Sequence, residues 1–509
     1  MTPPTALAVD ADGARRAQWE APTRWLIDIV VVVVLFYLAI RIRRGPLGPQ
    51  SLWLDDAWPA LVTRVPWSRV PIVGLTSPGY SAILKAWTHV VGFSNTHAQQ
   101  PALAFGVLGP AAVYLTGRRL ALRVLPAAVA ATILLVSRNH VIYSTRVKQY
   151  TLDALLSTLL IFLAVGVIQH PERAWRWAVL VTTAAVTTAA TSLVVPTVSG
   201  ALLAGAYVAW KRPDARRVAT RAIGAYAVFA VAWWAVALRP RINPALRSYW
   251  SAFYIRLSLE FPRDVGVGLW RVAHGLLWAP TLATLALLVV AACVVVWTRR
   301  ELAILFLTPI FVTAVLATLH VAPIGAGRTD INLYPALALT VGVAISEVPM
   351  KVWPAMLTAC LVLVAVGSTE QTPPAYPREN MRSAAAYLEA KARPTDEVLV
   401  YYAGRFPFAL YGRAWGLKVQ RSEDTAEGFD VQIQRPNLHV LPNDGTMKNA
   451  YAPVVARLTE HQSRVWFIGS HGHFDVVTVE KDLKALGYQS HRRPGDDLSA
   501  FVTLWVKSS

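Results

Sequence analysis

Three short stretches carry the residue types that acid–base and phosphate chemistry require. In "SLWLDDAWPA", residues 51–60, Asp55 and Asp56 stand side by side between Trp53 and Trp58. A carboxylate so placed can take a proton from a hydroxyl nucleophile; the plainer alternative is a solvated acidic turn at the start of a helix. The flanking tryptophans read as anchors at the lipid headgroup level. In "YSTRVKQYTLDALL", residues 143–156, Arg146, Lys148, Tyr150 and Asp153 put two cations, a phenol and a carboxylate at the mouth of an apolar run. Such cations either snorkel to the interface or neutralise a lipid-linked phosphate. In "PIGAGRTDINLYPALAL", residues 323–339, Gly325 and Gly327 are expected to leave backbone amides open to an anion, and Arg328 adds a fixed cation. A tight turn between two spans is the alternative there.

The elements that must position these residues follow from composition. Of 509 residues 55% are hydrophobic and 16% charged, which with many apolar runs of spanning length defines a polytopic α-helical membrane protein. Spans are expected near 25–42, 101–117, 125–142, 150–168, 176–190, 193–210, 218–238, 276–297, 302–321, 331–348 and 352–368, about eleven transmembrane helices. The formal net charge is +19, and all but one unit of it lies before residue 369. Positive cytoplasmic loops and anionic lipid account for such an excess, so nucleic-acid binding is set aside. Cys293 and Cys360 both lie in apolar runs, so no disulfide framework is expected.

Arg and Lys cluster in alternate loops: "GRRLALR", "HPERAWR", "KRPDARR", "TRR" and Lys351. The positive-inside rule makes that side cytoplasmic, with the N-terminus inside and the C-terminal tail outside. All three chemical stretches then share the outer face. Arg41, Arg43, Arg44, Arg64, Arg69, Arg239, Arg241, Arg247, Arg256 and Arg263 fall on the same outer side against the rule, which suggests that they meet anions there. "YSAILKAWTHVVGF" is expected as an interfacial amphipathic helix with Lys85 and His89 on its wet face. Residues 1–368 thus form a multi-spanning domain. After the Pro-rich "STEQTPPAYPREN", residues 369–509 alternate helical and strand patterns as a small C-terminal α/β extracytoplasmic domain without a Gly-rich phosphate loop.

In their order and spacing, "LWLDDAW", "YSTRVKQYTLDALL" and "GRTDINLYPALAL" resemble the GT-C class of membrane glycosyltransferases. The resemblance is in particular to the actinobacterial type among the bacterial relatives of protein O-mannosyltransferases and lipid A aminoarabinose transferases. It extends to the C-terminal region through "REN", "YYAGRFPF" and "RVWFIGSH".

What the resemblance implies is a multi-pass plasma-membrane enzyme moving a sugar, with inversion, from a polyprenyl-phosphate donor to a glycan, lipid or protein acceptor outside the membrane. Arabinofuranose or mannose is the expected sugar. Asp55 corresponds to the family's acidic residue, the candidate base. Asp56 stands where many relatives have Glu, a departure that keeps the charge but shortens the reach and leaves open which of the two catalytic carboxylates does the work. Arg146, Lys148 and Arg328 match the positions expected to hold the donor phosphate, with Tyr150 and Asp153 supporting the pocket. No nucleotide site is required, and a divalent metal is optional, since some members of the wider class use one. "HGHFD", 471–475, is the only cluster resembling ligands and matches no standard site. A transporter or flippase of lipid-linked sugars would also show outer cations, but it should carry ionisable residues near mid-membrane, where these spans have few.

Overall fold

The computed structural model describes residues 11–44, 51–74, 77–239, 243–277, 281–352, 379–442, 451–470, 474–492 and 500–508, with single residues between 354 and 362. Six described segments are long and apolar enough to cross a bilayer: Trp25–Arg44, Tyr150–Gln169, Ser192–Trp210, Pro213–Leu238, Thr281–Thr298 and Arg300–Thr318. Val124–Leu135 and Ile331–Glu347 are apolar but shorter. The helix Asn95–Arg119 contains Pro101 and Pro110 and packs centrally against Val124–Leu135 and Tyr150–Gln169. The eleventh expected span, 352–368, lies largely outside the described residues.

Apolar surface does not separate one lipid-embedded helix from another, so close packing does the work. At Gly200 a Cβ would stand 2.7 Å from the Leu305 carbonyl, and at Gly342 one would stand 2.9 Å from that of Pro126. Both glycines let neighbouring backbones touch. The expected span 125–142 is two pieces, because its helix stops at Leu135 and a second begins at Arg138. Arg43, fully buried, donates to the Leu135 carbonyl at 3.0 Å and lies 2.9 Å from His140 Nδ1. The guanidinium therefore supplies a partner for a carbonyl that the break leaves outside the helix ladder.

Past the bundle, residues 397–507 form a five-stranded sheet in the order β4–β1–β5–β7–β6. Its members are β1 (Glu397–Val400), β4 (Leu438–Val440), β5 (Arg464–Ser470), β6 (Tyr488–Arg492) and β7 (Ala500–Lys507). β4, β1 and β5 are parallel, with Val398 opposite Leu438 and Trp466, and β7 runs antiparallel to β5 and β6. β2 (Gly416–Arg421) and β3 (Phe429–Gln434) make a separate antiparallel hairpin. β1 and most of β5 are buried, as strands covered on both faces should be.

One face of this sheet is not a private core. Met381, Leu388, Phe406, Phe429, Trp466 and Val502 join Leu52, Ala57, Leu61, Tyr80, Ala98 and Val147 in a single apolar cluster. Polar contacts secure the seam. Leu52 N–H donates to the Tyr411 hydroxyl at 2.6 Å, and that hydroxyl donates to Asn95 at 3.0 Å. Glu379, buried, accepts from Leu54 N–H at 3.2 Å and from the Ser470 hydroxyl at 3.1 Å.

Several of the arginines expected on the outer side, against the positive-inside rule, are engaged within the protein. Arg64 donates to the carbonyls of Ala409, Gly412 (3.1 Å) and Trp415 (2.9 Å), where the helix Arg405–Tyr411 ends. Arg256 pairs with Asp264 at 3.0 Å and with Glu260, and Arg263 also meets Glu260. The helix Pro78–Val91 forms, but Lys85 turns its ammonium onto the Val62 and Val65 carbonyls instead of resting on a wet face.

Replacing Arg64 with Met should leave three carbonyls short of a charged donor and loosen the seam by ~2 kcal/mol. A lowered thermal unfolding midpoint of the detergent-solubilised protein checks this; an unchanged midpoint would show that the seam does not depend on Arg64.

Candidate functional site

The stretch 51–60 turns into a seven-residue helix, Leu54–Ala60, with both aspartates in its first turn, where the helix dipole favours negative charge. The two then diverge. Asp56 is 1% exposed, accepts from Val147 N–H at 2.9 Å and lies 3.4 Å from Arg146. Asp55 remains 29% exposed at its side chain and forms a 2.7 Å ion pair with Arg328. One carboxylate thus fastens two chain segments, and its neighbour opens onto the site.

The tryptophans expected as headgroup anchors pack on cations. Arg146 stands 5.4 Å from the Trp53 ring centroid and the Lys148 ammonium 3.9 Å from that of Trp58, a cation–π arrangement on both flanks of the aspartates. Trp58 also meets Phe429 of the C-terminal sheet region at 6.3 Å between centroids. Lys148 is buried, and burial pushes its ammonium down to about 8. Asp55, Asp56 and Glu427 favour its charge without offsetting that burial, and Arg328 adds to the depression.

The third stretch forms the loop between Thr318 and Ile331. Gly325 and Gly327 sit at φ +74° and +79°, a left-handed conformation that glycine adopts freely. Their amides were expected to remain open to an anion, but Asp330 already fills them: Gly325 N–H donates at 3.0 Å and Gly327 N–H at 2.8 Å. Burial pushes the Asp330 carboxyl up to about 6 against those two hydrogen bonds. Asn139 ties the same loop down, donating to the Gly327 carbonyl at 2.9 Å and to the Tyr334 hydroxyl at 3.1 Å.

Arg328, held out by this loop, donates to the Tyr249 hydroxyl at 3.0 Å and stacks 4.8 Å from the Trp250 ring. Tyr249 and Trp250 belong to the 239–263 loop, whose aromatic run "SYWSAFY" was the available sequence signal. Asp330, Asn139 and Glu379 join them as site residues that sequence reasoning missed.

Asp55, Asp56, Arg146, Lys148 and Arg328 therefore converge. Tyr150 borders them, edge-on to Tyr143 at 5.0 Å. Asp153 is buried in the first turn of Tyr150–Gln169, beside Thr191, and not among the cations. Among the described residues no group of three or more His, Cys, Asp or Glu is arranged to hold a metal ion. His471, Gly472 and His473 of "HGHFD" lie outside the described residues. The arrangement offers an accessible carboxylate, a buried carboxylate that holds the Val147 amide and Arg146, and three cations able to meet phosphate oxygens.

A helical membrane bundle packed against a small α/β region is the fold of the GT-C membrane glycosyltransferases. Among solved structures, ArnT from Cupriavidus metallidurans bound to undecaprenyl phosphate matches with a TM-score of 0.58, and its apo form with 0.57. Both share 12% identity and cover 95% of this chain and 98% of ArnT. The mycobacterial arabinofuranosyltransferase AftD matches 96% of this chain, but only 42% of its own length, at 16% identity and a TM-score of 0.52. Neither the models of known protein families nor the curated proteins give a match.

The Lys148 proton sets an expectation for pH. Deprotonation removes a positive charge, so affinity for a phosphate-bearing lipid should fall as pH rises through about 8. Lys148→Arg keeps the charge and should move that alkaline limb upward by more than one pH unit. Titrating polyprenyl-phosphate binding against pH in both proteins checks it; coincident limbs would remove Lys148 as the titrating group.

Proposed function

We propose that this protein is an inverting glycosyltransferase that moves a sugar from a polyprenyl-phosphate donor to an acceptor outside the plasma membrane. Arabinofuranose or mannose is the sugar favoured by the sequence resemblance. The reading is carried by the convergence of an accessible carboxylate with three cations at the mouth of the bundle. The likeness in fold to ArnT, solved with undecaprenyl phosphate, supports the choice of donor. Residues 1–368 would form the membrane catalytic domain, with the N-terminus cytoplasmic, and 369–509 an extracytoplasmic domain.

In this mechanism Asp55 takes the proton of the acceptor hydroxyl as its oxygen attacks the anomeric carbon. The bond between that carbon and the phosphate oxygen breaks on the opposite face, which inverts the configuration. Polyprenyl phosphate departs with the electron pair, and Arg328, Lys148 and Arg146 meet its developing charge. Asp56 acts through position, holding the Val147 amide and Arg146 beside the phosphate site.

The 2.7 Å pair between Asp55 and Arg328 adds an order to these events. The Asp55 carboxylate competes with a donor phosphate for the N–H groups of that guanidinium. Binding of the donor would draw Arg328 away and leave the Asp55 carboxylate to the acceptor.

Asp55→Asn should lower release of free polyprenyl phosphate by ~10²–10⁴-fold, with donor affinity kept or increased because Arg328 is released. Arg328→Ala should weaken donor binding itself. Purified variants incubated with polyprenyl-phosphate-linked arabinofuranose and mannose provide the assay; near-normal turnover by a folded Asp55→Asn enzyme would remove the base.

A further inference from the structure

Beside the seam, the β2–β3 hairpin and β4 border an open groove of about 780 Å³, within the roughly 300–1,000 Å³ usual for ligand sites. We infer that this groove is a subsite for a neutral oligosaccharide, the glycan acceptor of the transfer proposed above, and this assignment rests on that reading.

Strand alternation creates its lining. In β3, Phe429, Val431 and Ile433 turn into the core, so Gln432 and Gln434 turn outward with Asp430. In β2, Val419 is buried while Lys418 and Gln420 are exposed. The register sets Lys418 opposite Gln432 and Gln420 opposite Asp430, which places the polar side chains on one surface.

The chemistry of that surface selects its ligand. Most of its charges are already used within the protein. Arg435 donates to the carbonyls of Arg393, Asp396 and Pro436, and Asp430 pairs with Arg405 at 3.1 Å, while burial lowers the His439 pKa and so disfavours its charge. What remains is a row of carboxamides, Gln420, Gln432 and Gln434, with one lysine. A carboxamide both donates and accepts, which matches the hydroxyls of a sugar chain. An anionic polymer would instead call for several unpaired cations.

The groove is also tied to the chemistry at Asp430. Asp430 and Glu427 both hold the buried Arg405, and Glu427 lies close enough to Lys148 to favour its charge. A glycan lying along the hairpin would bring its end toward Asp55.

The test uses the full-length protein in lipid nanodiscs, with a linear α-arabinofuranosyl hexasaccharide and an α-mannosyl hexasaccharide as probes. One of the two should bind wild type, and the double variant Gln432→Leu/Gln434→Leu should bind it about tenfold more weakly, as expected for two lost hydrogen bonds. Polyprenyl-phosphate binding and the thermal midpoint should not change. Equal hexasaccharide affinity in wild type and variant overturns the subsite, as does a wild type that binds polyprenyl phosphate but neither sugar. A wild type that binds neither sugar nor polyprenyl phosphate overturns the transferase reading together with it.

Discussion

Everything at the mouth of the bundle depends on compensating charge in a place that water only partly reaches. Asp56 and Lys148 are almost wholly buried, and Arg328 is nearly so. A buried charge without a partner is costly, so the carboxylates and cations hold one another in place. The Asp55–Arg328 pair joins residues 273 positions apart, and the Asp56 contacts with Arg146 and Val147 close a second long loop. Burial of these groups and the convergence of the three stretches are one constraint seen from two sides.

The C-terminal sheet region takes part in that constraint. Its apolar face completes the core under Leu54–Ala60, and Glu379 binds the Leu54 amide at the start of that helix. Glu427 adds negative charge near Lys148. The arginines expected outside show the same logic from the other direction: Arg64 faces a helix end and Arg256 faces carboxylates, so their positive charge is answered locally.

Much of this was legible because the chemistry lies in compact motifs. Asp55, Asp56, Arg146, Lys148 and Arg328 each sit at the edge of an apolar run, where period and composition change abruptly. The missed residues lack such a signal. Glu379 and Tyr411 act on residues more than 300 positions earlier, a relation set by topology and not by any local pattern. The helix break after Leu135 falls at the polar residues Ser137–His140, which were read as part of one span, and a hydropathy reading cannot see a carbonyl handed to Arg43. At Gly325 and Gly327 the glycines were read as a cradle while the acid three positions beyond Gly327 was overlooked as its occupant.

That occupied cradle has a bearing on how the protein should meet its surroundings. A loop whose amides are open takes shape only when a ligand arrives and can be captured by any small anion in solution. Here Asp330 is an anion attached to the loop itself, present at a fixed place and never diluted away. Phosphate or sulfate in the medium would have to displace a tethered competitor to lodge on that backbone. Selectivity against free inorganic anions is thereby built into the main chain, and recognition of charge is left to side chains, which can also move aside.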